Sequence, residues 1–597
     1  MSTAILTGQP VPGSSIEGDL RSLGFDVLVA VDAADAERLV AEAPCEQRVA
    51  LVDARFVGHV HALRLGLTDP RFPLAAVPGA VTAQPAGRVT LTRALARENS
   101  AGGGTAVAVD SLPDRIVTAL ADDGADVYRP ELGSLVAAVP ADPQARNEAR
   151  QAVADVDDEA VRLKSAVKSR DGFFTTHFIS PYSRYLARWC ARRGLTPNQV
   201  TTASLITALI AAACAATGTR GGFVAAGVLL IASFVLDCTD GQLARYSLQY
   251  STLGAWLDAT FDRAKEYAYY AGLALGAARG GDDVWALALG AMILQTCRHV
   301  VDFSFNEANH DATANTSPTA ALSDKLDSVG WTVWVRRMIV LPIGERWAMI
   351  AVLTAVTTPR ITFYVLLVGC AFAATYTTAG RVLRSLTRKA QRTDRAAQAL
   401  ADLADSGPLA GLLARILPGT PRGTAPLSAA AGAVATALAA WAWGPDWMVV
   451  LVAGLYVLLS AEAVSRPLKG PLDWLIPPLF RAAEYGTVLI LAAKADVNGA
   501  LPAAFGLVAA VAYHHYDTVY RIRGNAGAPP AWLVRAIGGH EGRTLLVTVL
   551  AALLTASQFT VALTVLAVAV ALLVLVESIR FWVSAGAPAV HDEGEPA

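Results

Sequence analysis

The chain has 597 residues, of which 54% are hydrophobic, and a mean hydropathy of +0.41. A net charge of −2, from 49 Lys and Arg against 51 Asp and Glu, supplies no electrostatic drive toward nucleic acid or another highly charged partner. Six cysteines at 45, 190, 214, 238, 297 and 370 stand singly without CxxC spacing, which excludes a disulfide framework and suits packing roles in a reducing compartment. Arg far above Lys, with abundant Ala, points by composition to a GC-rich bacterial genome.

The averages conceal two regimes. Residues 1–170 are rich in Asp, Glu, Arg and Gly and hold no apolar run long enough to cross a bilayer. Its opening, MSTAILTGQP, has no basic segment followed by an apolar core, so no cleaved signal is expected. Within 1–145 the runs TAILT, DVLVAVD, RVALVDA, LAAVP, RVTLT, TAVAVD and SLVAAVP read as strands between helical stretches. That alternation predicts a soluble α/β layered domain with a mostly parallel sheet. A nucleotide loop is poorly represented: LTGQPVPGSS is a weak stand-in, and Gly102-Gly103-Gly104 lacks a following Lys. His59-x-His61 has no third ligand in view, so a strand or surface role is the expectation rather than a metal.

Residues 146–195 read as a linker and a juxtamembrane helix. Ser180-Pro181 predicts a cap followed by Pro at the first helical position. Tyr182, Tyr185, Leu186 and Trp189 then recur at helical spacing beside a stripe of Arg184, Arg188 and Arg192, as in a helix lying on the inner membrane surface; an ordinary amphipathic soluble helix is the competing reading. Thr196-Pro197 repeats the cap-and-proline device. Apolar spans are then predicted near 199–218, 222–245, 252–277, 283–303, 346–358 and 361–381, making a six-helix membrane domain over 196–385. Arg184, Arg188, Arg192 and Arg193 precede the first span, Arg336, Arg337 and Arg346 the fifth, and Arg381, Arg384, Arg388, Lys389 and Arg392 follow the sixth. Opposite loops carry isolated Arg220, Arg279 and Arg360, so the positive-inside rule predicts a cytoplasmic N-terminus in a multi-pass cell-membrane protein.

Between the second and third spans lies Asp237-x2-Asp240-Gly241-x2-Ala244-Arg245-x8-Gly254-x3-Asp258-x3-Asp262. One ionisable residue at a bilayer centre costs about 2.5–3.5 kcal/mol on insertion scales, and four aspartates here imply cations that recover that cost. Asp237 and Asp240 stack on one helix face, as do Asp258 and Asp262, and the short connection makes the two helices antiparallel. Hard oxygen ligands without a Cys or His cluster suit Mg²⁺ or Mn²⁺. Gly241 and Ala244 remove bulk beside the carboxylates and Arg245 presents a planar fork, which together describe a site for a diphosphate at the cytoplasmic end of the hairpin.

The run LDCTDGQLARYSLQYSTLGAWLDATFD resembles the signature of the CDP-alcohol phosphotransferases at every defining position. The resemblance implies a polytopic transferase that moves a substituted phosphoryl group from a CDP-alcohol donor to a hydroxyl acceptor and releases CMP, in phospholipid or related polar-lipid synthesis. By the same resemblance Asp237, Asp240 and Asp258 hold two metal ions, and Asp262 serves as ligand or general base. Gly241, Ala244 and Arg245 contact the cytidine nucleotide, and Gly254 lets the helices pack closely. The join RLKSAVKSRDGFFTTHFISPYSRYLARWCARRGLTPNQVT also resembles the join in members fused to a sugar- or inositol-phosphate cytidylyltransferase. The expectation for 1–145 is therefore a degenerate nucleotidyltransferase-like or Rossmann-like domain without catalysis, which scaffolds the core or binds a regulator. Arg263, Lys265, Arg298 and Arg337 near the cytoplasmic mouth either bind an acceptor phosphate or anchor helix ends.

A charged linker, 386–424, leads to apolar segments near 426–443, 446–463, 474–493, 499–518, 544–557 and 559–579, within a second membrane block at 425–585, before a tail at 586–597 expected to be disordered. AWLDATFDRAKEY at 255–267 parallels DWLIPPLFRAAEY at 473–485: Trp256 with Trp474, Arg263 with Arg481, Glu266-Tyr267 with Glu484-Tyr485. Ile476 and Phe480 stand where Asp258 and Asp262 would be, and SAEAVSRPLKG offers no counterpart of Asp237 and Asp240. His299-x2-Asp302 is echoed by His514-x2-Asp517, and Arg346 before an apolar run by Arg543 before another. The reading is an internal duplication with a metal-free second copy, forming an internal pseudo-dimer, or leaving the chain to pair as a homodimer; chance similarity of Trp- and Ala-rich segments is the alternative. Two other functions compete with a transferase: an ion or solute transporter using the intramembrane carboxylates, and a non-catalytic membrane scaffold. Arg245 beside the site would repel a permeant cation, and a complete ligand set argues against silence.

Overall fold

A computed structural model of the chain describes residues 2–9, 11–101, 111–168, 171–310, 312, 334, 338–387, 390–417 and 423–584. Gly102–Gly104, the TAVAVD run, Arg336, Arg337, Arg388, Lys389 and the 586–597 tail lie outside them. The chain divides into two compact units. One comprises Met1–Ser169, Tyr182–Pro197 and Thr239–Ser251, and the other Arg170–Pro181, Asn198–Cys238 and Thr252–Ala597.

In the first unit, strands β1 (Ser2–Thr7), β2 (Phe25–Ala30), β3 (Arg48–Asp53), β5 (Leu74–Val77) and β6 (Ala80–Ala83) form one sheet in the order β2-β1-β3-β6-β5, and a short β4 (Val57–Gly58) pairs with β7 (Ala137–Ala138). β1 is parallel to β2 and β3, whereas β6 is antiparallel to both β3 and β5. The sheet is thus half parallel rather than mostly so, because Gly79 turns the chain back in a tight β5–β6 hairpin with φ of +77°. Strand alternation supplies two cores: Ile5, Val49 and Leu51 face the helices α2 (Ala33–Glu42), α4 (Arg88–Ala101) and α5 (Leu112–Asp122), while Ala4, Leu6, Ala50 and Val52 face α1 (Ile16–Ser22) and α3 (Val60–Leu67). RVTLT, predicted as a strand, is the start of α4. Its buried residues Leu91, Ala94 and Leu95 follow helical spacing while Val89 is exposed, so the period of 3.6 prevails over β-propensity.

Helices α6 (Pro143–Ala154) and α7 (Asp158–Ser165) continue this unit. Ser180-Pro181 does not cap a helix start as predicted. The helical backbone already runs from Phe173, passes through a π turn at Thr175–Ile179 and continues as α8 (Ser180–Arg192). A π turn widens the ladder where Pro181 can donate no hydrogen bond. Along α8, Ser183, Ala187 and Cys190 are buried, whereas Tyr182, Tyr185, Leu186 and Trp189 are exposed.

All twelve predicted spans are helices. They are α9 (Pro197–Ala216), α10 (Arg220–Ser247), α11 (Thr252–Arg279), α12 (Trp285–Asn309), α13 (Ile343–Val356) and α14 (Pro359–Thr387), then, after α15 (Asp394–Ala404) and α16 (Pro408–Leu413), α17 (Ala425–Trp443), α18 (Trp447–Ala463), α19 (Ile476–Lys494), α20 (Ala500–Arg523), and, after α21 (Ala531–Ile537), α22 (Gly539–Leu553) and α23 (Ala556–Ser584). Six stretches among the described residues are long and apolar enough to cross a membrane: α9, α10, α14, α17, α23 and Asp473–Lys494, which contains α19. The others are too short or, as in α11 with Asp258, Asp262, Arg263, Lys265 and Glu266, carry charges held against other helices. A Cβ at Gly272 or Gly276 of α11 would collide with the carbonyl oxygens of Ala212 and Ala215 on α9, so glycine sets how closely these helices approach.

Buried ions are paired in both halves of the second unit. Glu266 receives Arg263 Nη1 at 2.9 Å and Arg346 Nε at 3.3 Å. Glu484 receives Arg481 Nη1 at 2.9 Å and Arg543 Nε at 2.5 Å, and Asp405 receives Arg543 Nη2 at 2.7 Å. Removing one member of such a group strands the others as uncompensated buried charges. Glu484→Ala is therefore expected to cost about 3–5 kcal/mol, seen as a lowered thermal unfolding midpoint in detergent; an unchanged midpoint would contradict the pairing.

Candidate active site

Asp237 and Asp240 lie one turn apart near the C-terminal end of α10, and Asp258 and Asp262 one turn apart in the second and third turns of α11. Helix α10 ends at Ser247 with Leu248 in the left-handed region at φ +51°, and the Gln249 N–H closes on the Ala244 carbonyl at 3.0 Å. This tight reversal sends α11 back antiparallel, as the spacing predicts. Asp237, Asp240 and Asp258 each bring a carboxylate oxygen within 4.8 Å of the others, the one three-residue group of acidic, His or Cys side chains among the described residues able to hold an ion.

Asp262 lies outside that group and joins it through a residue the sequence reading left ambiguous. Lys265 is fully buried; its Nζ pairs with Asp237 Oδ1, lies 2.8 Å from Asp262 Oδ1 and donates to Ser204 Oγ at 3.2 Å. Ser204 Oγ in turn donates to the Ser233 carbonyl at 2.9 Å. Lys265 thus spans the two helices and balances two of the four acids. Its signal was available: Lys265 follows Asp262 by three residues, on the same helix face. The other mouth cations are used within the fold. Arg263 holds Glu266 and approaches His299 Nδ1 at 3.4 Å, and Arg298 donates to the Val340 and Leu341 carbonyls. Arg337 lies outside the described residues.

Beside the carboxylates, the Arg245 guanidinium lies over Gly241, its terminal nitrogens 3.5 and 3.6 Å from where a Cβ would stand, an ordinary contact distance. Arg245 Nε donates to the Ala166 carbonyl at 2.6 Å. The neighbouring residues are held in the same unit: Arg162 donates to the Tyr246 carbonyl at 2.9 Å and stacks on its ring at 3.6 Å, Tyr246 OH donates to Glu159 at 2.9 Å, Arg64 donates to the Ser247 carbonyl at 3.0 Å, and Arg71 stacks on Tyr250 at 4.1 Å. Ala244 sits between Gly241 and Arg245 on α10, and Gly254 occupies the first turn of α11.

His59 is engaged within its own domain. His59 accepts from the Val136 N–H at 2.9 Å and contacts the Val153 carbonyl at 3.1 Å, so both ring nitrogens serve the domain's own packing. Burial, with Arg162 and Arg64 adding repulsion, pushes the buried His61 down to about 4, which keeps it neutral.

The carboxylate group fits a hard divalent ion. An octahedral ion with ligands at about 2.1 Å spaces its oxygens about 3–4 Å apart, a spacing three acids gathered within 4.8 Å can supply. The CDP-alcohol phosphatidyltransferase family matches residues 194–374, and a family of unknown function matches residues 394–597. A phosphatidylinositol phosphate synthase of Streptomyces avermitilis is 35% identical over 131 residues, covering 21% of this chain and 51% of that protein. A bifunctional IPC transferase and DIPP synthase of Aquifex aeolicus is 30% identical over 114 residues, covering 19% and 26%. An archaetidylinositol phosphate synthase of Pyrococcus horikoshii is 29% identical over 113 residues, covering 19% and 58%. The chain spans between 26% and 58% of the length of these relatives. The complete signature from Asp237 to Asp262 lies on the α10–α11 hairpin inside the matched residues, so this part of the chain is similar to the CDP-alcohol phosphatidyltransferases.

Proposed function

We propose that this chain is a membrane transferase that moves a substituted phosphoryl group from a CDP-alcohol to a hydroxyl acceptor with release of CMP, in phospholipid or polyol-phosphate polar-lipid synthesis. The observation that carries the reading is the convergence of Asp237, Asp240 and Asp258 beside Gly241 and Arg245 in a segment similar to this family. Relatives named as phosphatidylinositol phosphate and archaetidylinositol phosphate synthases support an inositol-phosphate type of acceptor. The asymmetry of Arg and Lys between loops supports a cytoplasmic N-terminus and a cytoplasmic site.

Asp237, Asp240 and Asp258 would hold Mg²⁺ or Mn²⁺, with Asp262 available as a further ligand to a second ion. Such ions, when bound, polarise the attacked phosphate and neutralise charge developing on the departing CMP. Gly241 and Ala244 give a diphosphate access to the α10 backbone, and the Arg245 fork suits its oxygens. The acceptor oxygen forms a bond to the phosphorus that carries the alcohol. The bond from that phosphorus to the bridging oxygen breaks, and CMP leaves with the electron pair. Asp262 takes the hydroxyl proton, with Lys265 at 2.8 Å fixing the carboxylate's orientation.

Purified chain in lipid nanodiscs with Mg²⁺, labelled CDP-diacylglycerol and inositol phosphate is expected to release CMP, and chelation by EDTA to abolish release until Mg²⁺ is restored. Asp258→Ala and Asp262→Ala should each lower the rate by about 10²–10⁴-fold; full turnover in either would contradict its role. Lys265→Met removes the cation that competes for Asp237. Mn²⁺ binding followed by electron paramagnetic resonance should tighten, while turnover falls by about 10²-fold through misplacement of Asp262. Unchanged ion affinity would show that Lys265 does not share the metal's carboxylates.

A further inference from the structure

Residues 394–597 match a family of unknown function, yet their packing repeats that of the first membrane block. In each half, one Glu is held by the Arg three residues before it and by an Arg on a later helix: Arg263–Glu266–Arg346 and Arg481–Glu484–Arg543. Each half also opens on a loop whose backbone is capped by a Glu just before that later Arg. Glu345 Oε1 accepts from the Phe174 N–H at 3.2 Å, and Glu541 accepts from the N–H groups of Gly407 and Ala410, each at 3.0 Å. The opening sequences, Asp171-Gly172 and Asp405-Ser406-Gly407, are alike.

Helix neighbours repeat as well. α11 packs on α12, α12 on α14 and α13 on α14; correspondingly α19 packs on α20, α20 on α23 and α22 on α23. What differs is the chemistry. Ile476, Phe480 and Ala483 replace Asp258, Asp262 and Lys265, and α18 stops after 17 residues where α10 runs for 28, so the turns that carry Asp240 to Arg245 are missing. The ion group shared by both halves is therefore part of the fold, and the residues lost together are those of the site.

The contacts between the halves are reciprocal. α12 of the first packs on α19 of the second, α20 of the second packs on α11 of the first, and α12 meets α20. The matched tryptophans each reach the last helix of the other half: Trp256 stacks on Trp582 with ring centroids 6.1 Å apart, and Trp474 Nε1 donates to Ser385 Oγ at 3.0 Å. Element i against j, with j against i, is the mark of a two-fold interface. Where α12 and α20 meet, Tyr516 hydrogen-bonds His299 and its ring lies under Arg263 at 5.3 Å.

We propose that residues 405–584 are a second, metal-free copy of the fold formed by residues 171–387, and that the two copies pair about an internal pseudo-two-fold, filling from one polypeptide the place a second chain would take. The test uses the full chain in a Cys45→Ser background, since Cys45 is the exposed cysteine among the six. Trp256→Cys with Trp582→Cys, and separately Ser385→Cys with Trp474→Cys, are treated with a short bis-maleimide in nanodiscs, and chain stoichiometry is read by native mass spectrometry. Both pairs are expected to link within one chain, in particles holding a single copy. Links that join two chains, or one pair linking without the other, would overturn the proposal. Should the tryptophan variants not fold, an electron cryomicroscopy map of the unaltered chain decides: the two halves superpose helix on helix, or the proposal fails. CMP release is not a readout, so an inactive but doubly linked chain would refute the transferase reading alone.

Discussion

A fully buried lysine set between two carboxylates governs the geometry of the site. Four aspartates brought to one end of a helical hairpin repel one another, and in a poorly solvated bundle that repulsion is not screened. Lys265 offsets part of it by holding Asp237 on α10 and Asp262 three residues away on its own helix, with Ser204 completing its hydrogen bonds. The remaining carboxylates, Asp240 and Asp258, gather with Asp237 where a divalent ion can supply the rest of the compensation. The hairpin is thus stable in a form already shaped for cations.

Comparison of the two halves separates fold from chemistry within the same helices. Arg263 could bind an acceptor phosphate or anchor a helix end on sequence grounds, yet it holds Glu266 together with Arg346, and their equivalents Arg481 and Arg543 hold Glu484 in a half that lacks the four aspartates. Such ion groups hold helix against helix, and their loss strands buried charge. Lys265 behaves in the opposite way, present with the aspartates and replaced by Ala483 without them.

The N-terminal domain has a physical role that needs no chemistry of its own. Arg64, Arg71, Arg162 and Glu159 grip residues 246–250, and the Ala166 carbonyl holds Arg245 itself. The segment that carries Arg245 therefore belongs to the same compact unit as the sheet domain. A left-handed Leu248 at the turn is tolerated because these contacts fix the backbone around it.

The sequence by itself determined the elements whose evidence is local. Spacing of three and four residues put each aspartate pair on one helix face, apolar patterning marked twelve helices, six of them long and apolar enough to cross a membrane, and the acid–glycine–arginine order carried the family resemblance. It failed where local signals compete: RVTLT has strand propensity but helical burial, and Ser180-Pro181 has cap chemistry inside a helix that never breaks. Tertiary structure alone decided the fate of the buried charges. Whether Arg263, Arg298 or Lys265 faces substrate, backbone or carboxylate depends on helices distant in the chain, as does the reciprocal packing of the two halves. Pairing free energy inside a bundle is set by which partner is within reach, and reach is a property of the assembled helices rather than of any one of them.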